Sequence, residues 1–249
     1  MIFEGETPVQ HVRVVERQEP LRRVRWLQVN EAGASQSILV EPGLITGGVW
    51  DWLALSALHS HPDDGRLDVL IIGLAAGIVP RMLHDVMAPA LPPLRIVGVE
   101  IDPQLTELGA KYFGLDKNTV EIHATDGRIF LRSAREKFDL IILDAYHSTS
   151  IPAHLATIEF FAEVKAKLSS NGLALLNVYT PEASTPLLEK LIATWSAVFP
   201  NAQWSVGPVY DGFVSRLLSA RPKTLNPMKI IIKPIVSCHE EVKMVSGKS

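Results

Sequence analysis

Leu67-Asp68-Val69-Leu70-Ile71-Ile72 runs straight into Gly73-Leu74-Ala75-Ala76-Gly77, and this stretch decides the fold. A continuous apolar run bounded by a small-residue turn is the pattern of a parallel strand buried on both faces. Three further runs repeat the arrangement and end in acid. Arg95-Ile96-Val97-Gly98-Val99 meets Glu100-Ile101-Asp102, and Val120-Glu121-Ile122-His123-Ala124 meets Thr125-Asp126-Gly127. Phe138-Asp139-Leu140-Ile141-Ile142-Leu143 meets Asp144. Ligands of open α/β sheets bind outside the carboxyl ends of the strands. Four strands that each deliver a turn or a carboxylate to that edge predict a nucleotide site.

The residue types narrow the ligand. Gly73, Ala75 and Gly77 let backbone approach closely and begin a helix, where amide groups are exposed. Glu100, at the next strand end, suits a ribose and its two hydroxyls. Asp126 with Gly127 suits an adenine amino group. The turn is not the dinucleotide fingerprint, because Ala75 and Pro80 stand where G-x-G-x-x-G has its later glycines, and no Lys-Ser/Thr follows as in a P-loop. The pattern favours an S-adenosyl-sulfonium nucleoside over NAD or ATP.

Outside this edge the chain divides into three parts. Residues 1–62 alternate at about period two and predict a small antiparallel sheet of about three strands, followed by a helix from Val49. Residues 63–220 alternate strand and helix, with a fifth strand at Leu173–Val178 after Asn171-Gly172. Asp211-Gly212 then predicts a closing hairpin. The expected fold is α/β: a doubly wound, mostly parallel sheet with an antiparallel C-terminal hairpin and a small N-terminal β-sheet. Residues 221–249 are expected to form a loosely ordered tail.

Composition sets the remaining bounds. The chain has 249 residues, 47% hydrophobic and 20% charged, with a net charge of −3. That balance carries no basic footprint for nucleic acid. One cysteine, Cys238, argues against a disulfide framework or a cysteine metal site. The start Met1-Ile2-Phe3-Glu4-Gly5-Glu6 lacks a signal-peptide pattern, and no apolar stretch reaches membrane-spanning length. The expectation is a cytoplasmic protein without prosthetic group, metal, nucleic acid or membrane partner, forming a homodimer.

The motifs resemble the spermidine-synthase-like (polyamine aminopropyltransferase) family, a branch of the class I methyltransferase-type, Rossmann-like proteins. Gln36-Ser37, Val69-Leu70-Ile71-Ile72-Gly73, Val99-Glu100-Ile101-Asp102, Thr125-Asp126-Gly127-Arg128-Ile129-Phe130-Leu131 and Phe138–Asp144 carry the resemblance. It implies decarboxylated S-adenosylmethionine as co-substrate, an amine such as putrescine as acceptor, and transfer of an aminopropyl group. The nucleoside would be held by Gln36, Gly73, Ala75, Gly77, Glu100, Ile101, Asp126 and Gly127. Asp144 would orient and deprotonate the amine, which cannot attack while protonated. The alternatives are methyl transfer from S-adenosylmethionine on the same site, and nucleoside binding without catalysis.

The chain departs from the family on the amine side. Asp144-Ala145-Tyr146-His147 keeps the first carboxylate and puts His147 at the second, Ala76 replaces a loop aspartate, and Gly47-Gly48-Val49-Trp50-Asp51-Trp52 replaces a tyrosine-histidine-glutamate segment. His147 is therefore a second catalytic candidate, since imidazole titrates near neutrality. Asp51 and Tyr146 are the candidate substrate contacts. His154 is assigned a structural role, and His59 and His61 a solvated turn.

Overall fold

The computed structural model describes residues 1–30, 35–181, 185–210 and 213–222. Five strands, β5 (Leu67–Ile72), β6 (Leu94–Glu100), β7 (Glu121–Ala124), β8 (Phe138–Leu143) and β9 (Leu168–Pro181), run parallel. With antiparallel β10 (Gln203–Tyr210) and β11 (Phe213–Ala220) they form a sheet in the order β10-β11-β9-β8-β5-β6-β7. The chain winds outward from β5 to β7, then returns to β5's other side as β8. β5 is therefore the switch point, where a crevice opens at the carboxyl ends. Every residue of β8 is buried, as its unbroken apolar run requires.

Helices cover both faces. On one lie α1 (Val49–Leu55), α2 (Ile78–Met82) and α3 (Pro103–Leu108). On the other lie α4 (Gly127–Ser133), α5 (Ile158–Lys167) and α6 (Pro186–Val198). Here Trp195 is fully buried, with ring centroids 4.9 Å from Phe161 and 4.6 Å from Phe199. Such tilted and edge-on aromatic packing is favourable beyond its buried area.

The N-terminal sheet has four strands where three were expected: β1 (Phe3–Glu6), β2 (His11–Gln18), β3 (Arg23–Val29) and β4 (Ser35–Glu41). The extra strand is a four-residue edge containing Gly5, with too little apolar alternation to register as a strand. Val12, Val14, Leu27 and Val29 share one buried cluster with Leu53, Leu74, Ala76 and Leu105. The small sheet thus packs on the turn after β5 and on α3.

β9 begins at Leu168, five residues before its expected start, so Asn171-Gly172 lies within it rather than before it. The register with β8 shifts between Phe138 and Leu140, and this irregularity takes up the extra residues. The hairpin strands pair as expected, while Asp211-Gly212 and the tail from Lys223 lie outside the described residues. No helix among the described residues is long and apolar enough to cross a membrane.

One residue couples the two sheets. The fully buried Asp102 caps α3 by accepting Gln104 N–H at 3.1 Å, and its other oxygen accepts the Thr7 hydroxyl at 2.6 Å and Gln10 Nε2 at 3.4 Å. Removing a cap costs about 1 kcal/mol, and losing hydrogen bonds to a buried charge adds about 1.5–3 kcal/mol. Asp102→Ala is expected to lower stability by roughly 2–4 kcal/mol in urea unfolding. Amide exchange in β1 and β2 should accelerate more than in β8.

Candidate active site

A cavity of about 260 Å³ opens at the switch point between the carboxyl ends of β5, β6, β7 and β8. Gln36, Gly73, Ala75, Glu100, Ile101, Asp126, Gly127, Asp144, Tyr146 and His147 all line it. Ten of the twelve residues singled out from sequence therefore meet in one place. Gly77 and Asp51 are the two exceptions.

The turn after β5 is wound so tightly that its residue types follow from its geometry. Gly73 has φ +92°, and a Cβ there would sit 2.4 Å from the Asp144 carbonyl oxygen. Only glycine fits so close an approach in the left-handed region. Gly77, φ +75°, caps α2 away from the cavity lining, so its role is to start that helix at Ile78. Three of the turn's amides are already used. Ala75 N–H donates to Glu100 Oε2 at 2.8 Å, Ala76 N–H to the buried Ser37 hydroxyl at 3.2 Å, and Gly77 N–H to Leu74 O at 2.9 Å.

Three carboxylates face the cavity, each in a different environment. Glu100 is buried, and burial pushes its pKa up against the lowering effect of the Asp102 and Ala75 amides. Asp126 caps α4 through the Arg128 and Ile129 amides at 2.9 and 3.0 Å, and its second oxygen lies 2.7 Å from His154 Nε2. Burial opposes ionisation of Asp126, but the Ile129 amide and His154 outweigh it and hold the acid below its ordinary range. Asp144 has no such support. Burial, with the Glu100 charge adding to it, lifts its pKa to about 7 despite a 2.7 Å bond from Asn177 Nδ2 to Oδ1.

The loop after β8 is pinned at several points. Tyr146 Oη donates to Asn177 O at 2.9 Å and accepts Tyr179 N–H at 2.8 Å, which fastens the loop to β9. Burial and the Asp144 charge raise the phenol's pKa, so it stays protonated. Gln36 Nε2 donates to Ser148 O at 2.9 Å, bridging from β4 across the cavity. His147 is exposed and closes a tight turn with Ser150 through backbone bonds.

Asp51 stands apart from the cavity. Its buried carboxylate accepts Thr46 N–H at 2.9 Å, the Thr46 hydroxyl at 2.7 Å and Gly47 N–H at 2.8 Å. A carboxylate spent on three local donors stitches the entry to α1, so the structure does not bring it to the expected substrate contact. The reverse holds for His154, assigned above to structure alone: it lines the cavity against Asp126. Asn177 and Gln10 also went unremarked. Asn177 left a signal, a lone amide closing the apolar run Leu173–Leu176, whereas Gln10 left none, since only the fold carries it there.

The fold and this site define a Rossmann-like protein of the methyltransferase type, with an acid-lined cavity at its switch point. Residues 51–227 match the spermine/spermidine synthase domain, and the chain belongs to that family. The "Probable polyamine aminopropyl transferase" of Bifidobacterium longum is 28% identical over 224 residues, covering 89% of this chain and 47% of that protein. The polyamine aminopropyltransferase of Vibrio vulnificus is 34% identical over 151 residues, covering 59% and 48%. The chain thus spans about half the length of these curated relatives. Among solved structures, a probable spermidine synthase from Corynebacterium glutamicum superposes with TM-score 0.73 at 20% identity, covering 90% of this chain and 81% of that one.

The elevated pKa of Asp144 has a stability consequence. A solvated aspartate titrates near about 3.9, so between about 4 and about 7 the folded chain holds a proton that the unfolded chain has released. Stability therefore falls as pH rises through that window. Asp144→Asn is expected to be more stable than the parent at pH 8, by on the order of 1–3 kcal/mol. Thermal melts should show the gain vanish at pH 4.

Proposed function

We propose that the chain transfers an aminopropyl group from decarboxylated S-adenosylmethionine to an amine such as putrescine. The observation that carries this reading is the cavity's charge: Glu100, Asp126 and Asp144 line it, and no lysine or arginine does among the described lining residues. A sulfonium donor and an ammonium acceptor are both cations, and such a wall attracts them. S-adenosylmethionine itself would bring a carboxylate into the same acidic cavity. The decarboxylated donor lacks that repulsion. The names of the Bifidobacterium and Vibrio relatives point the same way.

In this reading Glu100 accepts from the ribose hydroxyls with lone pairs its two backbone donors leave unused. Asp126 takes the adenine amino group beside Gly127, and Ile101, largely exposed at the rim, packs on the base. Gly73 and Ala75 let the donor lie against the backbone, and Gln36 contacts it from the N-terminal sheet. Tyr146 walls the acceptor's path, with His147 at its mouth.

Asp144 is the base. It takes one proton from the acceptor ammonium, and the nitrogen lone pair attacks the carbon attached to sulfur. A C–N bond forms as the C–S bond breaks, its electron pair going to sulfur. The products are a secondary ammonium, neutral methylthioadenosine and protonated Asp144, which returns its proton to solvent. A base with a pKa near the working pH suits this transfer.

Methylthioadenosine release from decarboxylated S-adenosylmethionine with a set of di- and polyamines tests the proposal. Asp144→Asn should lower kcat by about 10²–10⁴-fold, the usual worth of a positioned base, and leave donor binding within a fewfold of the parent. Adenosylhomocysteine from S-adenosylmethionine, with no methylthioadenosine from the other donor, would instead mark methyl transfer.

A further inference from the structure

We propose that Asn177 is a positioning residue for Asp144, fixing which carboxyl oxygen meets the ligand. The inference rests on the reading of Asp144 as the base. Asn177 closes the apolar part of β9 beside β8 and is buried. Its Nδ2 donates to Asp144 Oδ1 at 2.7 Å, which leaves Oδ2 as the oxygen to take a substrate proton.

The other half of the amide supplies a second, independent observation. Asn177 Oδ1 is buried without a hydrogen-bond partner among the described residues. An orphaned buried acceptor is rare and calls for an explanation. A primary amide has a donor end and an acceptor end that exchange places when it turns about Cβ–Cγ. With Nδ2 forward it stabilises the Asp144 carboxylate. Turning it would set Oδ1 against Asp144 Oδ1, two acceptors face to face, so the orphaned oxygen marks the orientation that Asp144 imposes. Asn177 lines a small cavity whose other walls include the apolar Ile72, Leu143, Leu155 and Phe160.

The neighbours make this partner necessary. Glu100 at the end of β6 adds a like charge to Asp144, and the phenol of Tyr146 beside it stays neutral. His147 on the same loop is exposed, and Tyr179 on β9 contributes its backbone N–H to Tyr146 rather than to Asp144. Asn177 Nδ2 is the hydrogen-bond donor that the described residues supply to this carboxyl. Tyr146 is tied to the backbone oxygen of residue 177, so replacing the Asn177 side chain leaves the loop anchor in place.

The test is the titration of Asp144 followed by carbon NMR of labelled aspartate, assigned by loss of the signal in Asp144→Asn. Asn177→Leu matches the amide's size without its polarity, and Asn177→Ser restores a group that both donates and accepts. In Asn177→Leu the Asp144 midpoint is expected to rise by about one pH unit, because the donor to the charged form is lost. Asn177→Ser should recover part of that shift. If methylthioadenosine is released, the acid limb of the kcat profile should move by the same amount, with the donor KM changed less than about threefold. A midpoint unchanged in both folded variants would overturn the inference. The NMR titration reads Asn177's action on Asp144 even in a protein that turns over nothing, so failure of the functional reading is separately visible as absent product.

Discussion

Two N–H bonds to one buried carboxylate hold the carboxyl edge of this sheet together. Glu100 accepts the Ala75 amide on one oxygen and the Asp102 amide on the other. The first bond closes the turn after β5, and the second sets the start of α3. Asp102, fixed in this way, caps α3 and reaches Thr7 and Gln10 on the small sheet. Two acids thus tie together three segments that are distant in sequence. Burying a charge is costly unless hydrogen bonds satisfy it, and those same bonds are what shape the crevice. Burial of the Glu100 side chain still raises its pKa against these bonds.

The loop after β8 obeys a different constraint. It cannot drift toward β5, because Gly73 already touches the Asp144 carbonyl. It cannot drift away, because Tyr146 is bonded twice to β9 and Gln36 grips Ser148. Asp144 is therefore held at a fixed place between β5 and β9, while among the described residues nothing comparable fixes the exposed His147 side chain. A general base must sit within hydrogen-bond reach of its proton before its pKa matters. That ordering favours Asp144 over His147 as base in the proposed reaction.

What the sequence made legible was local. The runs ending at Ile72, Val99, Ala124 and Leu143 mark buried strands, because period and turn chemistry are written in neighbouring residues. The convergence of Glu100, Asp126 and Asp144 follows from strand order in a parallel sheet. Asp51 shows the limit. A carboxylate between two tryptophans reads as an amine contact, yet the adjacent Thr46 and Gly47 donors consume it. His154 and Gln10 show the opposite limit, because their place depends on how the loop and the small sheet fold back, which no local pattern encodes. The early start of β9 is a third case: Asn171-Gly172 has turn chemistry, and it falls in the register shift between the β8 partners Leu168 and Leu173 rather than ending an element.

The three carboxylates differ in what supports their charge, and that difference divides the cavity into regions. Asp126 has two backbone amides and a histidine, so it remains ionised and can hold a neutral donor group without changing protonation state. Glu100 has amides but deep burial, and its role is architectural before it is chemical. Asp144 has one amide side chain and a neighbouring like charge, and burial lifts its pKa to about 7. A cation entering the cavity would favour the ionised form of Asp144 by direct attraction. The ligand would then prepare the base that acts on it. Acid–base chemistry belongs where the charge is least secured, and the graded support of these acids puts that point beside β9.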